Sequence, residues 1–362
     1  MKNTFGNNVA VTIFGESHGA AIGAVIDGLP AGIPVSEDFI RYRLSLRRPT
    51  GKISTPRKEA DEFSIISGVW NGYTTGTSIA IIIPNTNTKS SDYGPMRSIA
   101  RPGHADYTAY CKYNGCEDYR GGGHFSGRVT AALVAAGAII VSVLKAKGIT
   151  IGTHIKHIHG IYDRDFSDIE ADISMLSDKE FAVLDESVED AMKKEITKAA
   201  SDGDSVGGVL ETAICGIPAG VGEPWFDSLE GCLAHALFSI PAIKGVEFGA
   251  GFCISDMYGS QANDSLYYDG KTVKTKTNNN GGINGGITNG MPVIFRCACK
   301  PTPTIFKEQD TVDFVTYENT VISPKGRHDP CIVHRARIVA DSVAAMAVCD
   351  LLAAKYGCDW LR

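Results

Sequence analysis

The chain contains no C-x-x-C pair: its ten cysteines are scattered, and the nearest neighbours are Cys111/Cys116 and Cys297/Cys299. A structural zinc site needs four ligands, and no second cluster supplies them. Several cysteines, including Cys215, Cys232 and Cys349, sit inside apolar runs. They read as reduced thiols of a cytosolic protein, used as small core residues. Basic charge is not in excess either, since 35 Lys and Arg against 41 Asp and Glu leave a net charge of -6. Nucleic-acid binders carry a basic face, so nucleic acid is not an expected partner. A local basic pocket for a small anion remains compatible with this balance.

Long hydrophobic runs are also missing. The most apolar segment, 129–144, is interrupted by Thr130, Gly137 and Ser142 and bounded by Arg128 and Lys145. A membrane span needs about 20 apolar residues, so a buried core helix is expected and a membrane partner is not. The start, Met1-Lys2-Asn3-Thr4-Phe5, lacks the apolar region of a secretion signal, and a cytoplasmic protein is expected. Arg120-Gly121-Gly122-Gly123 does not have the G-x-G-x-x-G spacing of a dinucleotide site, and no P-loop occurs. His154, His157 and His159 fall in one predicted strand. At period two only His157 and His159 share a face, so no metal is expected.

With 43% hydrophobic and 21% charged residues, the 362 residues have ample material for a large core. Strands are predicted at 8–14 and 20–26, joined by the polar loop Gly15-Glu16-Ser17-His18-Gly19. Ser36 is placed to cap a helix whose first turn holds Glu37 and Asp38. Strands are predicted at 62–70, 77–83, 149–161, 206–217 and 293–299, and helices at 126–147, 185–200, 228–239 and 335–356. The segment at about 258–282 has few apolar anchors and is expected to be a mobile polar loop. Twice, a loop of Gly, Arg and His precedes a long apolar helix, which suggests two similar halves in one domain over 1–362.

Residues 101–128 hold three arginines, two histidines and a run of three glycines ahead of the apolar helix. Glycines let a backbone approach closely, arginines hold phosphate or carboxylate, and a helix start presents free N–H groups. These features describe the floor of an anion site. Gly15-Glu16-Ser17-His18-Gly19 has the spacing of a serine nucleophile elbow. Its predicted strand-to-strand context does not fit, and adjacent Ser and His side chains are not expected to face each other.

Taken together, the loops point further. Gly15-Glu16-Ser17-His18-Gly19, Arg101-Pro102-Gly103-His104-Ala105-Asp106, Arg120-Gly121-Gly122-Gly123, Lys244-Gly245-Val246-Glu247-Phe248-Gly249 and Gly326-Arg327-His328-Asp329-Pro330-Cys331 resemble the signature set of chorismate synthases. Gly281-Gly282-Ile283-Asn284-Gly285-Gly286-Ile287 and Lys300-Pro301-Thr302 fit as well. The resemblance covers nearly the whole chain, in order.

It implies an α+β fold, a β-α-β sandwich with long buried helices and pseudo-symmetric halves. It also implies a lyase of aromatic amino-acid biosynthesis that takes 5-enolpyruvylshikimate 3-phosphate to chorismate and phosphate. This is the last step of the shikimate pathway, a 1,4-elimination that requires reduced FMN without net redox change. A homotetramer and an external flavin reductant follow from the same resemblance.

By motif match, His18 protonates the leaving phosphate and His104 sets the protonation state of the flavin. Asp329 helps flavin N5 act as base, and Ser17 and Ser126 lie near flavin and substrate. Histidine suits both acid roles because its pKa is close to neutral. Flavin contacts are carried over to His124, Phe125, Ser126, Pro241, Ala242, Gly285, Lys300, Pro301, Thr302, Pro303, Thr304 and Arg327. Arg47 and Lys52 match positions for NADP or substrate phosphate, with substrate phosphate preferred. Arg101, Arg128 and Arg335 complete the cations. Where the family often has Arg-Ser-Ser-Ala-Arg-Glu-Thr, this chain has His124-Phe125-Ser126-Gly127-Arg128-Val129-Thr130. The alternatives are a non-catalytic flavin- or anion-binding paralogue, and a bifunctional form that also reduces its flavin with NADPH.

Overall fold

The computed structural model describes residues 2–49, 51–55, 60–86, 97–323 and 329–362. Two five-stranded antiparallel sheets enclose a layer of helices. Across the first sheet the order is Thr4–Phe5, Ala10–Gly15, Ala21–Asp27, Ile79–Pro84, Ser64–Ser67. Across the second it is Ile243–Phe248, Val293–Cys299, Gly208–Cys215, Thr150–Ile158, Ile161–Tyr162. Alternation sets the inner face of the first sheet: Ile22, Ala24, Ile26, Ile79, Ile81 and Ile83 are all buried. In its hairpin Ala10 pairs with Asp27 and Gly15 with Ile22. The polar loop at 16–20 therefore emerges at one end of the sheet.

Helix Thr130–Ala146 packs on the first sheet, helix Val333–Tyr356 on the second, and the two pack on each other. Both are apolar nearly all round, as a helix buried on every side must be. Gly137, which interrupts the apolar run in the sequence, marks a close contact between them: a Cβ there would fall 2.3 Å from Ser342 Cβ. The segment Gly127–Ala146 is long and apolar enough to cross a membrane, yet 72% of its most apolar window is buried inside the protein. Each half is thus a five-stranded sheet followed by a long apolar helix, the α+β sandwich expected from the sequence.

Local signals explain most elements. Ser36 Oγ accepts from Phe39 N at 3.2 Å and starts helix Glu37–Ser45. Ser228 caps Leu229–Phe238 in the same way. Other expectations need correction. The strand expected over 62–70 is split at Gly68, whose φ is 83 and whose Cβ would meet Ile79 Cα at 2.6 Å. Helices Asp106–Tyr113 and Ile169–Leu176 were not expected from the sequence, since eight residues show little periodicity. Residues 258–282 carry the short helix Gly259–Ala262 and a hairpin of Leu266–Tyr268 with Val273–Thr275. Their anchor is polar: Asp264 accepts from Thr277 Oγ1 and from the amides of Asn279 and Asn280. Burial pushes the Asp264 carboxyl up, but these hydrogen bonds outweigh it and hold it below its usual range.

All ten cysteines are free, and burial pushes the Cys297 and Cys331 thiols up to about 12. His154 points inward, with Asp163 at 2.8 Å and Glu211 at 2.9 Å, whereas His159 sits in a turn with φ 40.

Candidate active site

The glycine run is shaped by the residues behind it. Gly121, Gly122 and Gly123 have φ of 61, 83 and 52, a region that disfavours side chains. A Cβ on Gly121 would fall 2.1 Å from His18 Cε1, and one on Gly123 would fall 2.0 Å from the Asp118 carbonyl oxygen. On Gly122 it would fall 3.2 Å from His104 Cε1. The run therefore lets backbone lie against the two histidines, with Gly121 in the wall of the main cavity.

Ser17 and His18 do face each other, contrary to the expectation for adjacent side chains: Ser17 Oγ is 3.0 Å from His18 Nδ1. Ser17 Oγ also lies 3.2 and 3.0 Å from the carbonyls of Arg120 and Gly121. Its single proton goes to a carbonyl, so it accepts from Nδ1–H. Ser17 orients the ring and is not a nucleophile awaiting a base. Ser17 N–H donates to Gly123 O at 3.1 Å, which ties the 16–20 loop to the glycine run.

His104 is held from the opposite side. Its Nδ1 is 2.8 Å from Asp106 Oδ1, and Arg101 donates to both Asp106 oxygens, at 2.8 and 2.7 Å. Burial pushes the Asp106 carboxyl up, but Arg101 and His104 outweigh it and keep it well below the usual carboxylate range. The carboxylate accepts Nδ1–H, which leaves Nε2 as the ring nitrogen turned away from Asp106. The 3.1 Å approach of the Arg101 guanidinium to the same Nδ1 is then an approach between two donors. His124 Nδ1 donates to Gly15 O at 2.8 Å, so this histidine braces the end of the first hairpin.

Asp329 lies just ahead of the second core helix. Thr55 N–H donates to Oδ1 at 2.7 Å and Arg335 donates to Oδ2 at 2.6 Å. Arg335 Nε also reaches the Arg47 carbonyl at 2.8 Å. Arg47 and Arg128 are buried and share Asp61, whose side chain is fully buried between them. Arg47 further donates to Thr130 Oγ1 at 2.9 Å and Gly127 O at 3.0 Å, and Arg128 donates to Asn85 Oδ1 at 3.0 Å. Burial pushes the Arg47 guanidinium down to about 10, against the pull of Asp61. Arg47 is thus held inside the protein at the edge of a cavity, and Asp61 is the partner that sequence reasoning missed. No local motif announces Asp61: it has φ 51 and meets the arginines only in three dimensions.

Two cavities meet here. The larger, about 720 Å³, is lined by His104, Gly121, His124, Phe125, Ser126, Pro241, Ala242, Lys300, Thr302, Pro303, Thr304 and Asp329, with Leu133, Ile240, Val343 and Met346 as apolar wall. The smaller, about 240 Å³, is bordered by Arg47, Arg128 and Arg335, with Asp61 and Asp329. They share Ser126, Gly127, Ile240, Pro241, Asp329 and Ile332. Thr302 Oγ1 is buried without a hydrogen-bond partner.

The structure thus gathers most of the expected residues, from loops far apart in the chain. His18 and Ser17 lie behind Gly121, and Arg101 lies beside His104, against Asp106. Pro301 lies between lining residues without itself lining the cavity. Gly285 stands apart, in the turn joining Ile283–Asn284 to Ile287–Thr288. Arg327 falls outside the described residues, and for Lys52 only its backbone, in the turn Gly51–Ile53, is described.

Fold and site together define a class: an α+β enzyme whose cations and histidines surround two joined cavities. The sequence model of the family described as chorismate synthase matches residues 9–353. The chain belongs to the chorismate synthase family, whose members are lyases of aromatic amino-acid biosynthesis. It is 47% identical over 350 residues to a chorismate synthase of Chitinophaga pinensis, covering 97% of this chain and 96% of that protein. It is 44% identical over 351 residues to one of Thermococcus kodakarensis, covering 96% of each. A crystal structure of a chorismate synthase superposes with a TM-score of 0.77 at 31% identity, covering 97% of this chain and 94% of that one.

Proposed function

We propose that the protein converts 5-enolpyruvylshikimate 3-phosphate to chorismate and inorganic phosphate, with reduced FMN as cofactor. The carrying observation is the pair of cavities that meet, one large and mostly apolar, the other bordered by three arginines, with Ser126 and Asp329 in the lining of both. The residues present fit a flavin. The apolar wall suits a flat ring system, Lys300 and Thr304 offer donors, and the orphaned Thr302 hydroxyl offers a buried donor to a ligand. Held there, a reduced flavin would supply electron density for loss of an allylic phosphate and a base for the ring proton.

The protein's own share is position and proton control. Asp106 keeps the His104 tautomer fixed, so that any proton taken or given passes through Nε2, beside the glycine run. Ser17 orients His18 behind Gly121, and the motif match makes this histidine the acid for the departing phosphate. Arg335 places a positive charge on Asp329 at the junction, and its neighbours on the arginine side attract an anionic substrate. Nearly complete exposure of Trp225 and Phe226, at 86% and 96%, supports burial of this face in a homotetramer. Ten free thiols suit a reducing, cytoplasmic compartment, and reduction of the flavin is assigned to an external reductant.

The decisive assay is anaerobic phosphate release by the purified protein with photoreduced FMN. Release is expected, with His104→Ala slower by about 10²–10⁴-fold. A wild-type protein that binds reduced FMN and substrate yet releases no phosphate would sink the proposal.

A further inference from the structure

His334 is the second residue of the second core helix and is almost fully buried, at 2% exposure. It has no place in the chemistry proposed above. A buried imidazole costs stability unless its polar atoms are used. Here Nε2 lies 2.8 Å from Ser54 Oγ, and the ring stacks on Phe181 at 6.1 Å and 25°. Nδ1 has no partner. An orphaned N–H is costlier than an under-used acceptor, so the proton resides on Nε2 and is donated to Ser54. Burial lowers the pKa of the ring to about 3, so it stays neutral and its single proton stays on this bond.

Ser54 is followed by Thr55, whose amide donates to Asp329 Oδ1 at 2.7 Å. The next residue on the helix, Arg335, holds Asp329 Oδ2 and the Arg47 carbonyl. Consecutive side chains of the first helical turn therefore grip both ends of one stretch, 47–55, and Asp329 is clamped between the stretch and the helix.

We propose that His334 is a positioning residue: through Ser54 it holds the Thr55 amide on Asp329 and so fixes that carboxylate at the junction of the two cavities. Its consequence for turnover rests on the activity proposed above, whereas the placement itself does not.

Two readouts test it. Ser54→Ala, which leaves the imidazole in its packing, and His334→Ala are expected to speed hydrogen exchange of the Thr55 amide by about tenfold, the loss of one hydrogen bond. His334→Gln, which keeps a donor, should restore slow exchange. In turnover with reduced FMN, His334→Ala should lower kcat severalfold at nearly constant KM, and have no further effect in an Asp329→Asn background. Unchanged Thr55 exchange in both alanine variants overturns the proposal. So do effects of His334→Ala and Asp329→Asn that simply multiply. An inert wild type combined with faster Thr55 exchange in Ser54→Ala would refute the activity while supporting the placement.

Discussion

His104 Nδ1 and Asp106 Oδ1 stand 2.8 Å apart, and the same carboxylate is held by the guanidinium of Arg101. Three residues of one motif thus form a closed unit in which the ring can present only Nε2 outward.

Asp106→Asn should therefore cost activity without unfolding the protein. An amide can present its NH₂ to the ring and favour the other tautomer, so phosphate release is expected to fall by roughly tenfold or more. A pH dependence follows from the depressed folded-state pKa of Asp106. The stability it contributes is fully present above its unfolded pKa of about 3.9 and is lost as pH falls through the folded value. Melting temperatures between pH 2 and 6 should converge for wild type and Asp106→Asn at the acid end. Curves that stay parallel would contradict this.

Gly121 and Gly127 make a contrast. A methyl at 121 meets His18 at 2.1 Å with φ at 61, whereas a methyl at 127 meets nothing within 4 Å. Gly121→Ala is expected to displace His18, lower the melting temperature and abolish turnover. Gly127→Ala should melt like wild type and yet weaken ligand binding, because its methyl enters the space shared by the two cavities. Flavin titration by fluorescence, beside thermal melts, separates the two cases.

Asp61 is the shared partner of two buried arginines, one negative charge against two positive ones. Removing one partner of a buried ion pair typically costs about 3–5 kcal/mol, and Asp61→Ala should fall in or above that range. Urea unfolding measures it. A loss below about 1 kcal/mol, the scale of a surface ion pair, would mean that the arginines do not depend on Asp61.

Thr302→Val removes a hydroxyl that has no partner in the ligand-free protein. Stability should be unchanged or slightly higher, since no hydrogen bond is broken. Binding of FMN should weaken by about tenfold if the hydroxyl serves that ligand. Isothermal titration decides, and unchanged affinity would remove Thr302 from the flavin contacts.

The sequence made some of this readable and left other parts hidden, for physical reasons. Ser36, Ser228 and the alternation of Ile22, Ala24 and Ile26 act locally, and so the elements they define could be read in advance. Glycines 121–123 signalled close approach, but what approaches them was invisible: His18 arrives from a hairpin more than a hundred residues away. Asp61, Ser54 and His334 gave no signal because each matters only through a partner distant in the chain. Residues 258–282 have few apolar anchors, and the carboxylate of Asp264 holds them instead, which no local pattern announces.

The Gly137–Ser342 contact has a mechanical meaning. Each core helix begins at the site, one after Ser126 and Arg128, the other after Asp329. From Gly137 to Thr130 is about 10 Å along the helix axis at about 1.5 Å per residue. With no side chain between them at that point, the two helices meet backbone to side chain, as two arms meet at a pivot. Both arms run from that point to residues that line the cavities. The spacing between the arginine-bordered cavity and the larger one is thus set in the middle of the core, by the smallest residue the chain could place there.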